Sequence, residues 1–170
     1  MDATEYMAFV PLLIYGIALA DLLSEWKRFF SPDELYFPYL LFTIILTEAA
    51  VYNIFIYVSL VNELPGQTYI RYLSFLVPPF LFLMVTNIFT PERGEHTRDY
   101  FEAKIPVVFS LMAVFIASHF LYEMAGNPWI RIIMIILLAA TAVFRKHWLM
   151  YLIGLFWAVS LVLRSTEVTT

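Results

Sequence analysis

The chain reads as long apolar blocks punctuated by short polar connections. The blocks lie at about 7–23, 36–61, 69–89, 105–124, 129–144 and 148–163. The connections carry turn and charge signals: SPDE at 31–34, NELPGQ at 62–67, TPERGEHTRDYFEAK at 90–104, AGNP at 125–128 and RKH at 145–147. Blocks of this size suit membrane-spanning helices, which need roughly 20 apolar residues. The pattern predicts an all-α, polytopic transmembrane bundle of six helices forming one domain over 1–170.

The last two blocks are short. Sixteen residues rise about 24 Å as a helix, against a hydrocarbon thickness of roughly 30 Å. Trp129, Trp148, Arg131 and Arg145 can anchor or snorkel at the interface and make up the difference. One continuous helix over 129–163 would place Arg145, Lys146 and His147 at its centre, so a tight hairpin is expected instead. Within the third block, Pro78 and Pro79 predict a kink.

Composition reinforces this class. Charged residues make up 14% of the chain, against about 25% in an average soluble domain, too few to cover a core with polar surface. A net charge of −4 without a Lys/Arg run argues against nucleic acid as a partner. The absence of cysteine excludes disulfides, thiolate metal sites and cysteine nucleophiles. The start, MDATEYMAFV, lacks the basic region of a cleaved signal peptide, so the first block is expected to be a retained helix.

Lysine and arginine set the orientation. Lys27, Arg28, Arg93, Arg98, Lys104, Arg145 and Lys146 follow the first, third and fifth blocks, leaving only Arg71, Arg131 and Arg164 opposite. The positive-inside rule then puts both termini outside. Tyrosine and tryptophan cluster near block ends as interfacial belts do, except Trp157, which falls mid-helix and is read as facing the bundle or the lipid.

Within LFTIILTEAAVYNIFIYVSL, residues 41–60, a carboxylate stands at bilayer depth. A charge there costs at least about 2.5–3.5 kcal/mol, so Glu48 is a candidate site. Leu41, Tyr52, Phe55 and Ser59 share its helical face, Thr43, Thr47 and Ala50 line another, and Asn53 lies between. The second helix is therefore expected inside the bundle, with neighbours on two sides. His119, near the end of the fourth helix, is the nearest polar candidate partner. Glu48 is expected to be neutral, or hydrogen-bonded to Tyr52, Asn53 or a neighbouring helix. Two readings stand: a proton- or cation-handling group on a transport path, or a structural bridge between helices.

Glu123 follows His119 by one helical turn, a spacing that suits two metal ligands but completes no site, so a local His–Glu bond or a contact with Arg131 is expected. The candidate polar site is thus Glu48, Tyr52, Asn53, His119 and Glu123. In the connection before the fourth helix, HTRDYFEAK can form a short interfacial helix, with Tyr100 and Phe101 toward lipid and Arg98 near Glu102. Glu95, His96 and Asp99 are read as solvated loop charges rather than as a metal or acid–base site. Asp21 lies near Lys27 and Arg28 as a local pair or helix contact. Gly16 with Ala20, Ala113 with Ala117, and Gly154 with Ala158 are small pairs that permit close helix approach. No catalytic, metal or cofactor motif is present: there is no GxSxG, no P-loop, no intramembrane lysine for a Schiff base, and no second intramembrane histidine for a haem.

Two stretches, LLIYGIALADLLSEWKRFF at 12–30 and PPFLFLMVTNIFTPERGEHTRDYFEAKIPVVFSLMAVF at 78–115, carry a resemblance. An early G-x-A-x-A-D-L-L helix end, and a proline turn leading to a D-Y-F segment, resemble a group of small polytopic bacterial inner-membrane proteins with no assigned activity. The group's second helix is rich in tryptophan where this one has tyrosine. The resemblance implies a prokaryotic inner membrane and multi-pass insertion.

These readings predict a non-enzymatic membrane subunit or interaction partner in lipid, homo-oligomeric or bound to another membrane protein, without cofactor. The alternative is a small secondary transporter or channel using Glu48. A membrane enzyme using the EHTRD loop ranks below both.

Overall fold

The computed structural model describes residues 3–60, 68–92, 94–121 and 128–167, and every regular element among them is helical. The helices are α1 (Ala3–Glu25), α2 (Phe37–Leu60), α3 (Tyr69–Phe75), α4 (Val77–Phe89), α5 (Thr97–Ser118), α6 (Pro128–Phe144) and α7 (His147–Glu167). Short 3-10 turns continue α1 over Trp26–Phe30 and α5 over His119–Leu121. Phe9–Phe30, Phe37–Tyr57, Tyr69–Phe89 and Thr97–Leu121 are each long and apolar enough to cross a membrane, while Pro128–Phe144 and His147–Val162 are shorter.

Prolines decide where the third block breaks. Pro78 and Pro79 fill the first turn of α4, where missing N–H groups cost least. The expected kink is thus an interruption at Leu76 between α3 and α4. Pro79 cannot donate to the carbonyl four residues back, at Phe75. The hydroxyl of Tyr57, from α2, donates there instead at 2.6 Å. An orphan carbonyl in lipid costs several kcal/mol, so this substitute makes the break tolerable.

Between α6 and α7 the chain reverses through Arg145, held at φ 52°, whose N–H donates to the Thr141 carbonyl at 2.9 Å. This left-handed cap ends α6, and α7 begins two residues later, giving a tight hairpin. The α7 helix extends beyond its apolar block of 148–163. The start of α5 differs more: it begins at Thr97, ahead of the apolar block at 105, and absorbs the charged segment. Phe101 is the reason. It is buried, not turned to lipid as the sequence suggests, and continues inward the stripe of Ile105, Val108, Phe109 and Met112.

Neighbouring helices run in a ring, α1–α2–α7–α6–α5–α4 and back to α1, and α2 also meets α5 across the middle. Thus α2 packs along α1, α7 and α5, and its Tyr57 and Tyr39 also reach α3 and α4, meeting the expectation of neighbours on both sides. Aromatic rings fill the centre: Tyr39 stacks on Phe89 at 4.5 Å, and Phe101 lies edge-on to both. Buried hydroxyls at Thr43, Thr86, Ser118, Thr141 and Ser160 donate to carbonyls of their own helices, so they demand no external partner.

The outer surface is apolar as well. Phe9, Leu13, Ile17, Ile44, Val51, Phe80, Met84, Val114, Ile136 and Leu155 are all exposed. A surface this uniformly apolar suits lipid rather than water. The helical class and the membrane character expected from the sequence are both present in this architecture.

Candidate functional site

Asn53 organises the first polar junction. Its Nδ2 donates to the Ala49 carbonyl at 2.7 Å, which fixes the amide's orientation on α2. Its Oδ1 accepts from the Tyr15 hydroxyl on α1 at 3.2 Å and faces His119 Nε2 at 2.8 Å. The other imidazole nitrogen lies 2.9 Å from the Phe115 carbonyl, one turn back on α5. Asn53 is 4% exposed, so one amide ties three helices together away from solvent. Of the sequence-predicted set, Asn53 and His119 therefore meet. Tyr52 is half-buried on the same helix, and Glu123 lies outside the described residues.

Glu48 is elsewhere. Its Oε2 accepts the indole N–H of Trp157, on α7, at 2.9 Å. The partner comes from a neighbouring helix, but it is the mid-helix tryptophan and not His119. The two helices approach closely on this side, because a Cβ on Gly154 would lie 2.9 Å from Leu41 Cδ2. Of the small pairs, Gly154 thus marks a real close approach, whereas a Cβ on Gly16 would meet nothing within 4 Å. Glu48 is only half-buried, and Ile44 and Val51, one turn either side, are exposed. The carboxylate therefore sits at the outer edge of the α2–α7 seam rather than inside the bundle.

A third junction was not legible in the sequence. Arg28, read there as an inner-side cation near Asp21, is 6% exposed, and Glu25 is 3% exposed. The guanidinium donates to Glu25 Oε2 and Glu34 Oε2, and to Thr97 Oγ1 at 2.8 Å. The Tyr39 hydroxyl donates to Glu25 at 2.8 Å, and Thr97 to Glu34 at 3.1 Å. The cluster joins the end of α1, the turn before α2 and the first residue of α5. Two carboxylates and several hydroxyls compensate the cation, as a buried charge requires. Arg28 thus pairs with Glu25 and Glu34, not with Asp21. The signal available was the i, i+3 spacing of Glu25 and Arg28; its link to Thr97 was hidden by separation along the chain.

Beside it, the Tyr36 hydroxyl donates to Glu102 Oε1 at 3.1 Å and lies 3.0 Å from His147 Nε2. Arg98 donates to the same Glu102 oxygen at 3.1 Å, the Arg98–Glu102 pairing expected from the sequence. Burial first, then the bond to Glu102, pushes the Tyr36 phenol up to about 12. The starts of α2, α5 and α7 consequently gather at one end of the bundle, together with the basic connections.

Glu92, Glu95, His96, Asp99, Tyr100 and Lys104 line an open depression at that same end. His96 and Asp99 are exposed and 3.8 Å apart. Among the described residues no three His, Cys, Asp or Glu side chains are grouped to hold a metal. The Arg131 guanidinium lies over the Phe120 ring, 5.8 Å from its centre.

No family model, curated protein or solved structure matches the chain. Its architecture defines a helical protein with apolar helices suited to a membrane, and the functional reading rests on the residues themselves.

Proposed function

We propose that this chain is a multi-pass protein of a prokaryotic inner membrane, crossing six times with both termini outside, and acts as a non-enzymatic subunit or interaction partner. The Tyr15–Asn53–His119 junction carries the reading: its polar atoms are spent on bonds within and between helices rather than offered to an aqueous path. Polar groups used this way are glue within a bundle. The gathering of α2, α5 and α7 starts around Tyr36 supports the six-pass arrangement, since it sets three basic connections at one end.

The alternative, a transporter or channel using Glu48, draws on that carboxylate's incomplete burial. Size analysis in native lipid discs and ion flux in proteoliposomes separate the two. The proposal expects an assembly larger than one 19.8 kDa chain and no proton or cation flux above empty vesicles. A monomer with flux abolished by Glu48→Gln would overturn it.

A further inference from the structure

Among the described residues, Arg145 and Lys146 are the only adjacent cations that both lack a carboxylate partner, and both are exposed. Other cations at the same end are matched. Arg28 has Glu25 and Glu34, Arg98 has Glu102, and Lys104 shares its depression with Glu92, Glu95 and Asp99. Glu102 does reach the start of α7 beside His147, but its bonds go to Arg98 and the Tyr36 hydroxyl. The turn's backbone gives no reason for arginine either, because φ 52° is a conformation that glycine or asparagine adopts with less strain.

Helix length sets the depth of this pair. The α6 helix has 17 residues and rises about 25 Å, against a hydrocarbon thickness of roughly 30 Å. Such a helix cannot carry its terminal turn clear of the headgroups, so Arg145 and Lys146 lie at phosphate depth. Apolar surface leads from the turn into the bilayer. Ile132, Ile136 and Val143 fall within about 40° of one another on α6, as do Trp148, Leu155 and Val159 on α7, and all six are exposed. The Trp148 indole N–H has no partner among the described residues.

We propose that the α6–α7 turn binds the headgroup of an anionic phospholipid, with the phosphodiester held by Arg145 and Lys146 and the acyl chains laid along these outer faces. The inference rests on the proposed membrane insertion and deepens it by naming the lipid this turn selects. A guanidinium gives two parallel N–H bonds to phosphate oxygens, and the ammonium adds a point charge. Charge decides the headgroup. A zwitterionic lipid brings its own cation, which no described carboxylate at this turn is free to receive, whereas a phosphatidylglycerol headgroup brings none. Trp148, an aromatic ring with an N–H to donate, suits the ester carbonyls just below the phosphate.

Native mass spectrometry of the full chain in mild detergent tests this, with equimolar phosphatidylglycerol and phosphatidylcholine of identical acyl chains on offer. The chain should retain phosphatidylglycerol over phosphatidylcholine by about fivefold or more. Arg145→Asn combined with Lys146→Gln, which suits the left-handed turn, should bring the ratio near one with the helical circular dichroism unchanged. Lys27→Gln removes a single exposed cation at the same end and should leave the ratio as it was. Excess inorganic phosphate should also leave it unchanged; if it erases the preference, the turn takes free phosphate and the lipid site is overturned. A ratio near one in the unaltered chain, or a preference that survives the double variant, would overturn it as well. So would an equal fall with Lys27→Gln, since general surface charge would then account for the selection. If the ratio is near one while discs still hold an assembly larger than one chain and vesicles show no flux, this inference falls and the proposed function stands.

Discussion

The hydroxyl of Tyr57 donates to the carbonyl of Phe75, the one backbone acceptor that Pro79 leaves without its helical donor. One side chain on α2 thus repairs the break between α3 and α4. Tyr57→Phe keeps the ring and removes the bond. It should cost about 1–2 kcal/mol, toward the upper end of bonds between membrane helices because the carbonyl is left orphaned. Unfolding in a denaturing-detergent titration measures this, and an unchanged midpoint would show that the carbonyl finds another donor.

Arg28 holds Glu25, Glu34 and Thr97 at once, so its removal leaves two carboxylates uncompensated. Arg28→Leu is expected to cost about 3–5 kcal/mol. Arg28→Lys should recover only part of that, since an ammonium cannot span three acceptors as a planar guanidinium does. The same detergent titration reports both. Full rescue by lysine would mean that charge alone matters.

Tyr36 gives a pH signature. Its phenol ionises at about 12 in the fold, against about 10 in an unfolded chain. Between those values the unfolded state has released a proton that the folded state still holds, so stability falls as pH rises. The contribution is whole below about pH 10 and gone above about pH 12. Tyr36→Phe should flatten that part of the stability–pH curve. An unaltered slope would place the alkaline loss at other tyrosines.

The two glycines differ in what a side chain would meet. Gly154→Leu drives into Leu41 and should cost about 1–3 kcal/mol, while Gly154→Ala asks only that the Leu41 terminus give way. Gly16→Ala fills open space on a helix and should gain up to about 1 kcal/mol from propensity. Thermal midpoints in mild detergent compare them, and a reversed order would remove the α2–α7 contact from the account.

Sequence pattern reached the helical class, the hairpin at Arg145 and the interruption near Pro78, because each follows from local rules of hydropathy and backbone geometry. It missed where α5 begins, since the charges of HTRDYFEAK masked an apolar stripe already running through Phe101. Glu48 was expected inside the bundle. Its exposed neighbours Ile44 and Val51 are apolar, and apolar residues look alike whether they face lipid or protein. The pairing with Trp157 joins residues far apart in the chain, and hydropathy carries no information about such pairs. The Arg28 cluster escaped for the same reason, as its Thr97 member comes from another helix.

Site-directed labelling tests the six-pass reading most directly. Single cysteines at Gly94 and Lys146, both exposed at the basic end, should react with a membrane-impermeant maleimide in inside-out vesicles and stay protected in intact cells. Labelling of the two positions from opposite faces, or a chain that leaves the membrane without detergent, would contradict it.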